Sequence, residues 1–227
     1  MTKNIKPKSI EITALMSALN AEKYIGEAIE GVLGQTYKNF EFIIIDDGSC
    51  DGTSSIIKKY EKEDNRIVVI KNKVNIGISS SLNLGLRVAR GKYIIKVDAD
   101  DWSLPDRFQK QLDFMESNPS VVVAGGNMDI CDMDLNVTKT TNVLLDSDKL
   151  RARLLYTNPV FHPAMIYRKE MALEVGGYNN NLKVAEDFML LIDLSSKGDI
   201  SNISDILVKY RLNKNSATSK NMKEMQL

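Results

Sequence analysis

The chain has 227 residues, 43% hydrophobic and 26% charged, a composition that suits a soluble globular protein able to bury one large core. Lys plus Arg and Asp plus Glu number 30 each, so the formal net charge is zero and nucleic acid, which calls for a basic surface, is excluded as a main partner. No apolar run approaches the roughly 18 residues that a membrane span needs.

From the start, Ile10 to Leu15 reads as a first strand. Asn20 is placed to cap a helix whose Ile25, Ala28, Ile29, Val32 and Leu33 follow the three-four apolar spacing. The intervening turn, Ser17-Ala18-Leu19-Asn20, has no glycine, so neither the Gly-rich dinucleotide fingerprint nor a P-loop is present. A second strand, Glu41 to Ile45, runs into Asp46-Asp47-Gly48-Ser49-Cys50-Asp51-Gly52-Thr53, where the glycines permit a tight turn and Asp51 or Thr53 can cap a helix reaching Tyr60. Asp47 then stands at a strand's carboxyl end with acceptor oxygens for a base N–H or ribose hydroxyls; the alternative is a structural Asp-Gly turn. Arg66 to Ile70 is a third strand, followed by the loop Asn72 to Gly77. A helix from about Ser79 to Arg90 comes next, with Leu82, Leu86 and Ala89 inward, and Gly91 is expected to end it in a left-handed turn.

The fourth strand, Tyr93 to Val97, stops at Asp98, Asp100 and Asp101. Residues two apart on an extended chain share a side, so Asp98 and Asp100 can converge, and their mutual repulsion is relieved by a divalent cation with a taste for oxygen, Mg²⁺ or Mn²⁺. The alternative is a polar turn in which one Asp caps the next helix. Four strands alternating with three helices have the rhythm of a parallel sheet wrapped by helices, with ligands at the strands' carboxyl ends.

In the second half, Pro105 opens a helix with Phe108, Leu112 and Met115 inward, ending before Pro119. Val121 to Ala124 is a buried strand, Gly125-Gly126 permits close backbone approach, and weak alternation up to Val143 suggests a hairpin. Asp146 or Ser147 caps a helix reaching Tyr156. Ile206 to Leu212 is a closing strand, and Lys214 to Leu227 is polar and short of apolar anchors.

Strand-Asp-Asp-Gly-Ser-x-Asp-Gly-Thr, then Asn-x-Gly, then Gly-Lys-Tyr-x-x-x-x-Asp-Ala-Asp-Asp, resembles the family 2 glycosyltransferases in order and spacing. The likeness runs from about Ile10 to Arg211 and takes in Gln35-Thr36-Tyr37, Arg107, Gln111, the Asn158 to Tyr167 segment, Gly176-Gly177-Tyr178 and Glu186-Asp187. The resemblance implies a GT-A fold (α/β, a Rossmann-like, mostly parallel sheet flanked by helices). It forms one domain over residues 1–212, with a nucleotide-sugar half at about 10–125, an acceptor half at about 126–212 and a polar tail at 213–227. It implies inverting transfer from a nucleotide sugar, usually UDP-linked, to a glycan or lipid-linked saccharide in bacterial-type surface polysaccharide assembly. Carried over by position, Ala18, Asn20, Asp47, Asn75, Gly77 and Asp98 contact the nucleotide. Asp100, with Asp98, holds Mn²⁺ or Mg²⁺, and Asp187 is the catalytic base, Glu186 being a positioning or helix-start residue. The bland alternative for both acids is simple complementation of the helix dipole.

Three positions depart from the pattern: Leu19 where an aromatic is common, Cys50 where Thr is common, and Asn213 where relatives often have His. His162, the chain's one histidine, can touch diphosphate, metal or acceptor, but between Val160-Phe161 and Pro163 a hydrogen-bonded structural role is preferred. The basic stretch Met1 to Ser9 lacks the apolar segment of a signal peptide, and Cys50 and Cys131 are too few for a disulfide framework or a zinc site. The expected home is therefore the cytoplasm, with peripheral attachment at the inner face of the membrane open. A catalytically inactive sugar-nucleotide binder is the main competing reading. A nucleotidyltransferase would bring a Gly-rich phosphate loop near the start, and a haloacid-dehalogenase-like phosphatase expects Thr or Val where Trp102 stands.

Overall fold

Strands β1 (Ile12–Ala18), β2 (Phe40–Asp46) and β4 (Tyr93–Asp98) are buried almost throughout, as parallel strands covered on both faces must be. In the computed structural model, which describes residues 9–182 and 184–212, β3 (Ile67–Lys71) completes a parallel unit ordered β3-β2-β1-β4. The polar tail, Asn213 and residues 1–8 lie outside the described residues. The period-two alternation of side chains separates two cores. Ile12, Ala14, Met16, Phe42, Ile44 and Ile95 face helix α1 (Ile25–Leu33), together with Phe108 and Met115 of helix α4 (Arg107–Ser117). Leu15, Ile43, Ile45 and Ile94 face Leu82 and Leu86 of helix α3 (Ile78–Val88) on the other side. Helix α2 (Thr53–Glu63) lies between β2 and β3 in the chain and adds Ile57 to the first core.

The second half extends the same sheet in mixed sense. Beyond β4 the order continues β8 (Ile166–Arg168), β6 (Val121–Cys131), β9 (Asp199–Arg211) and β5 (Trp102–Ser103). β8 is antiparallel to both its neighbours and β6 is parallel to β9. The sheet is thus the expected helix-flanked α/β sheet, parallel where the nucleotide-half motifs sit. The expected hairpin is present as β6 with β7 (Val137–Thr140). β6 runs to Cys131 rather than stopping at Ala124, because Gly125 and Gly126 let β9 approach: a Cβ on Gly126 would overlap the Leu207 side chain. Asp146 caps helix α5 (Ser147–Leu154), accepting from Lys149 N at 2.9 Å. Helices α6 (Lys169–Glu174) and α7 (Glu186–Ser195) close the second core with Ala172, Leu190, Leu191 and Leu194.

Two local expectations are corrected. Asn20 does not cap α1, which begins after Tyr24 with no side-chain cap; at φ 50° its Oδ1 instead accepts from Cys50 N at 2.9 Å. Gly91 is not left-handed: α3 has already ended at Ala89 in extended backbone. A glycine is needed there because a Cβ would lie 2.6 Å from the Ile12 carbonyl carbon and overlap Thr13 N, so β1 could not pass so close.

Candidate active site

Register brings the motif residues to one edge. Ala18 of β1 pairs with Asp46 of β2, and Ser17 with Asp98 of β4, so the carboxyl ends of the three strands are level. Asp47 and Asp98 therefore flank the end of β1 from its two neighbouring strands, about 10 Å apart across the sheet.

On the Asp47 side the loops are laced together. Asp47 is buried, and its Oδ1 accepts from Asn72 Nδ2 (2.8 Å) and Ile76 N (3.0 Å) while Oδ2 accepts from Gly77 N (3.0 Å). Gly48, at φ 77°, lies against the same loop: a Cβ there would be 2.6 Å from the Val74 carbonyl carbon. The Asp47 N–H donates to the Ala18 carbonyl at 2.8 Å. The turn after β1 is stapled to the turn after β2 through Asn20 N to Ser49 Oγ, Ala21 N to Thr53 Oγ1, and Gly52 N to Glu22 Oε2. Neither Asp51 nor Thr53 caps α2 as expected: the capping position is Gly52, with no side-chain cap, and Asp51 Oδ1 instead accepts from Thr53 N at 3.0 Å in a local turn. Asn75 and Gly77 are exposed, with Asn75 Oδ1 accepting from Gly77 N, so this loop presents an open face beside a fixed floor.

On the β4 side, Lys96 is wholly buried and forms an ion pair with Asp98 while also donating to the Val97 carbonyl at 3.0 Å. Burial works against ionisation of Asp98, but the charges and hydrogen bond around it, Lys96 first, together outweigh burial and hold the carboxyl below the ordinary carboxylate range. Asp100 lacks such a partner; burial, then repulsion by Asp98, pushes its carboxyl up. Asp101 is raised further by burial and by both neighbours, and its Oδ2 is buried without a hydrogen-bond partner. Under this turn Arg107 is fully buried, donating to the Lys96 carbonyl at 2.8 Å, to Ser103 Oγ at 3.1 Å and to Gln111 Oε1 at 3.0 Å. Its burial lowers the guanidinium to about 9, against the pull of Asp98 and Asp101.

The third component comes from the second half. His162 lies in a 3₁₀ turn (His162–Ala164) and shares a hydrogen bond with the Tyr178 hydroxyl at 3.0 Å, which is itself 3.3 Å from the Tyr167 hydroxyl. Burial, then Lys96, lowers the imidazole to about 4, against the opposing pull of Asp187 and Asp98. The histidine is thus a neutral hydrogen-bonded spacer with β4's acid turn and α7's first turn both within electrostatic reach. Asp187 is half-buried, and its Oδ2 accepts from Asn158 Nδ2 at 2.8 Å. Glu186 is pushed up by burial and by Asp187. Ala185, just before α7, has φ 60°, a left-handed conformation that costs a non-glycine residue about 1 kcal/mol or more and recurs at functional sites.

Asp98 thus pairs with Lys96 and repels Asp100, and both Asp98 and Asp187 act on His162, with Asp47, Ala18 and Asn20 at the adjoining strand ends and Asn75 and Gly77 on the loop that Asp47 holds. Among the described residues no group of three or more His, Cys, Asp or Glu side chains is arranged to hold a metal ion. The donors present, Asp98 and Asp100, still fit Mg²⁺ or Mn²⁺, which commonly take one or two carboxylates and complete their shell with substrate phosphate and water. The repulsion within the acid turn and the orphaned Asp101 oxygen are the features that an added positive charge relieves. Sequence reasoning passed over Lys96, Asn158 and the Tyr178 hydroxyl. For Lys96 the signal was available: a lysine two residues before an aspartate on one strand shares its side.

Residues 13–176 match the family described as glycosyl transferase family 2. Over 218 residues the chain is 36% identical to an uncharacterized glycosyltransferase of Haemophilus influenzae, covering 92% of this chain and 67% of that one. It is 27% identical over 202 residues to the amylovoran biosynthesis glycosyltransferase AmsE of Erwinia amylovora, covering 88% and 75%. Among solved structures it is similar to residues 1–349 of S. aureus TarS in complex with UDP-GlcNAc (TM-score 0.76, 24% identity, 92% of this chain and 60% of that one). It is also similar to the mannosyltransferase PcManGT of Pyrobaculum calidifontis in complex with GDP-Man and Mn²⁺ (TM-score 0.73, 16% identity, 95% and 61%). These neighbours share the GT-A fold, and the chain spans about 60% of their length.

Proposed function

From the premise that the chain belongs to glycosyl transferase family 2, we propose that it is an inverting glycosyltransferase acting on a nucleotide sugar. The donor is UDP-linked and the acceptor is a hydroxyl of a glycan or lipid-linked saccharide in surface polysaccharide assembly, in the cytoplasm or at the inner face of the membrane. The observation that carries this reading is that Asp98, at the end of β4, and Asp187, in the first turn of α7, both act on the buried His162, so acids from the two halves of the chain border one place. The UDP-GlcNAc complex of TarS supports the donor class, and the AmsE name supports the pathway class. Among the described residues no helix is long and apolar enough to cross a membrane.

The nucleotide lies across the ends of β1 and β2, against Ala18, Asn20 and the Asn75-Gly77 loop that Asp47 holds. Asp47 Oδ2 accepts one hydrogen bond from Gly77 and has a lone pair left for a base N–H or ribose hydroxyl. Asp98, fixed by Lys96, lies beside the ribose and diphosphate. Asp100, with Asp98, would hold Mg²⁺ or Mn²⁺, which when bound supplies positive charge to the diphosphate leaving group. Asp187 takes the acceptor hydroxyl proton as that oxygen attacks from the face opposite the diphosphate, so one displacement inverts the anomeric centre with no covalent intermediate. Asn158 occupies one Asp187 oxygen and thereby aims the other.

UDP release from a panel of UDP-sugars, with Mn²⁺ and with chelator, tests the reading. Asp187→Asn keeps Mn²⁺-dependent thermal stabilisation by UDP and loses turnover by about 10²–10⁴-fold, the usual worth of a general base. Asp100→Asn loses the metal-dependent part of that stabilisation. Full turnover in the first variant, or full Mn²⁺-dependent stabilisation in the second, overturns the corresponding assignment.

A further inference from the structure

Arg211 ends β9 and, despite its charge, is only 2% exposed. Several separate pieces of chain meet on it. Its backbone N–H donates to Asp101 Oδ1 at 2.9 Å, and Nη1 donates to the Asp100 carbonyl at 2.5 Å. Nε donates to the Met133 carbonyl, in the turn between β6 and β7, at 3.1 Å. Nη2 forms an ion pair with Glu27 of α1, and the guanidinium lies 4.9 Å from the centre of the Tyr24 ring.

A guanidinium presents its donors in a rigid planar fork, so one side chain can hold two carbonyls and a carboxylate in fixed directions; an ammonium on a flexible stem cannot. Burying an arginine costs several kcal/mol unless it is fully bonded. The tie between β9 and its neighbour β6 does not call for that expense, since the ladder already runs from Val121 to Arg211. What the arginine adds is control of the acid turn. Gripping the Asp100 carbonyl sets the plane of the 100–101 peptide, and with it the direction in which the Asp100 side chain leaves the backbone. Among the described residues the Asp100 carboxylate accepts no hydrogen bond from another residue, so its aim comes from the main chain. The same turn leaves Asp101 Oδ2 buried and unpartnered, so it is held in a form its own hydrogen bonding does not complete.

We propose that Arg211 is a positioning residue: braced on Glu27 and Met133, it presets the Asp100-Asp101 turn for a divalent cation while touching neither cation nor substrate. This deepens the transferase reading and rests on its assignment of Asp100 to the metal.

The test titrates Mn²⁺ into the full chain with saturating UDP, and separately GDP, by calorimetry. Arg211→Lys keeps a cation but loses the fork. The half-saturating Mn²⁺ concentration rises by about 10-fold or more, the usual cost of losing an outer partner of a ligand, while nucleotide binding in chelator is unchanged. Glu27→Gln, on a half-exposed position of α1, gives a smaller shift of the same sign and carries the test if Arg211→Lys does not fold. A lower melting temperature with wild-type Mn²⁺ dependence in the variants that fold marks a merely structural tie and overturns the inference alone. A wild-type chain with no Mn²⁺-dependent nucleotide binding overturns instead the reading on which it rests.

Discussion

Asn83, on α3 in the first half of the chain, brackets the main chain of Tyr178, 95 residues later: its Oδ1 accepts from Tyr178 N at 2.8 Å and its Nδ2 donates to the Tyr178 carbonyl at 2.7 Å. The Tyr178 hydroxyl in turn meets His162. One buried amide therefore fixes the segment leading to Asp187 against the nucleotide half. Asn83→Leu leaves two main-chain groups of Tyr178 without partners, and each buried orphan costs about 1–3 kcal/mol. Urea denaturation should show a loss of about 2–5 kcal/mol. UDP release falls while Mn²⁺-dependent UDP binding persists, because Asn83 bonds the segment leading to Asp187 and makes no hydrogen bond to the acid turn. A variant within 0.5 kcal/mol of wild type would mean the bracket is not needed.

His162 gives the stability curve a specific acid limb. Its folded-state value of about 4 lies below the ordinary 6.5, set first by burial and then by Lys96, with Asp98 on β4 and Asp187 on α7 opposing and the Tyr178 hydroxyl as hydrogen-bond partner. The unfolded chain therefore binds the proton first. The contribution is fully present above about pH 6.5 and is lost as pH falls toward 4, amounting to about 3 kcal/mol over that window. His162→Gln keeps a group able to bond the Tyr178 hydroxyl but cannot take up a proton. Chemical melts of both proteins from pH 7 to pH 4 should draw together as pH falls, since only the wild type carries the imidazole whose contribution is lost over that window. Parallel curves would show that the imidazole does not titrate as described.

The parallel half and its loops were legible because each carries a local signal: short apolar runs for β1, β2 and β4, three-four spacing for α1 and α3, and acidic turns at strand ends. What local signals misjudged were positions decided by distant chain. Gly91 has the residue type that usually ends a helix, whereas Ile12 and Thr13 of β1 are what exclude a side chain there. Asn20 has a good capping side chain, but the Cys50 N–H, 30 residues on, takes it. β9 is thirteen residues long, from Asp199, rather than the short strand expected from Ile206, because Ser201, Asn202, Ser204 and Asp205 interrupt its apolar pattern. Its pairing with β6 supplies the continuity that the sequence does not show. In the site, the resemblance named the acids and the spacing of Lys96 to Asp98 could have named their pair, while the partners of Asn158, Asn83 and Arg211 become visible only when separate elements are packed together.

Lys96 and Asp98 offer the sharpest energetic test of how the site is built. The ammonium is wholly buried, whereas the carboxylate keeps a quarter of its side chain in solvent, so the pair is asymmetric. Lys96→Met preserves length and apolar contact but leaves Asp98 beside Asp100 and Asp101 with its counter-charge gone. Removing one partner of a buried pair costs about 3–5 kcal/mol, and the exposed quarter of Asp98 brings the expectation to about 2–4. Asp98→Asn should cost a similar amount, because it leaves the ammonium buried with only the Val97 carbonyl and an amide oxygen to hold it. The double variant removes both charges together. Its loss should fall well short of the sum of the two, by about 2 kcal/mol or more, since replacing a buried pair with neutral groups is often close to neutral. The measurement is a double-mutant cycle by urea denaturation at pH 7 without metal, where no ligand competes for Asp98. Additive losses would mean that Lys96 and Asp98 are neighbours rather than partners, and the fixed position of Asp98 beside the diphosphate would need another cause.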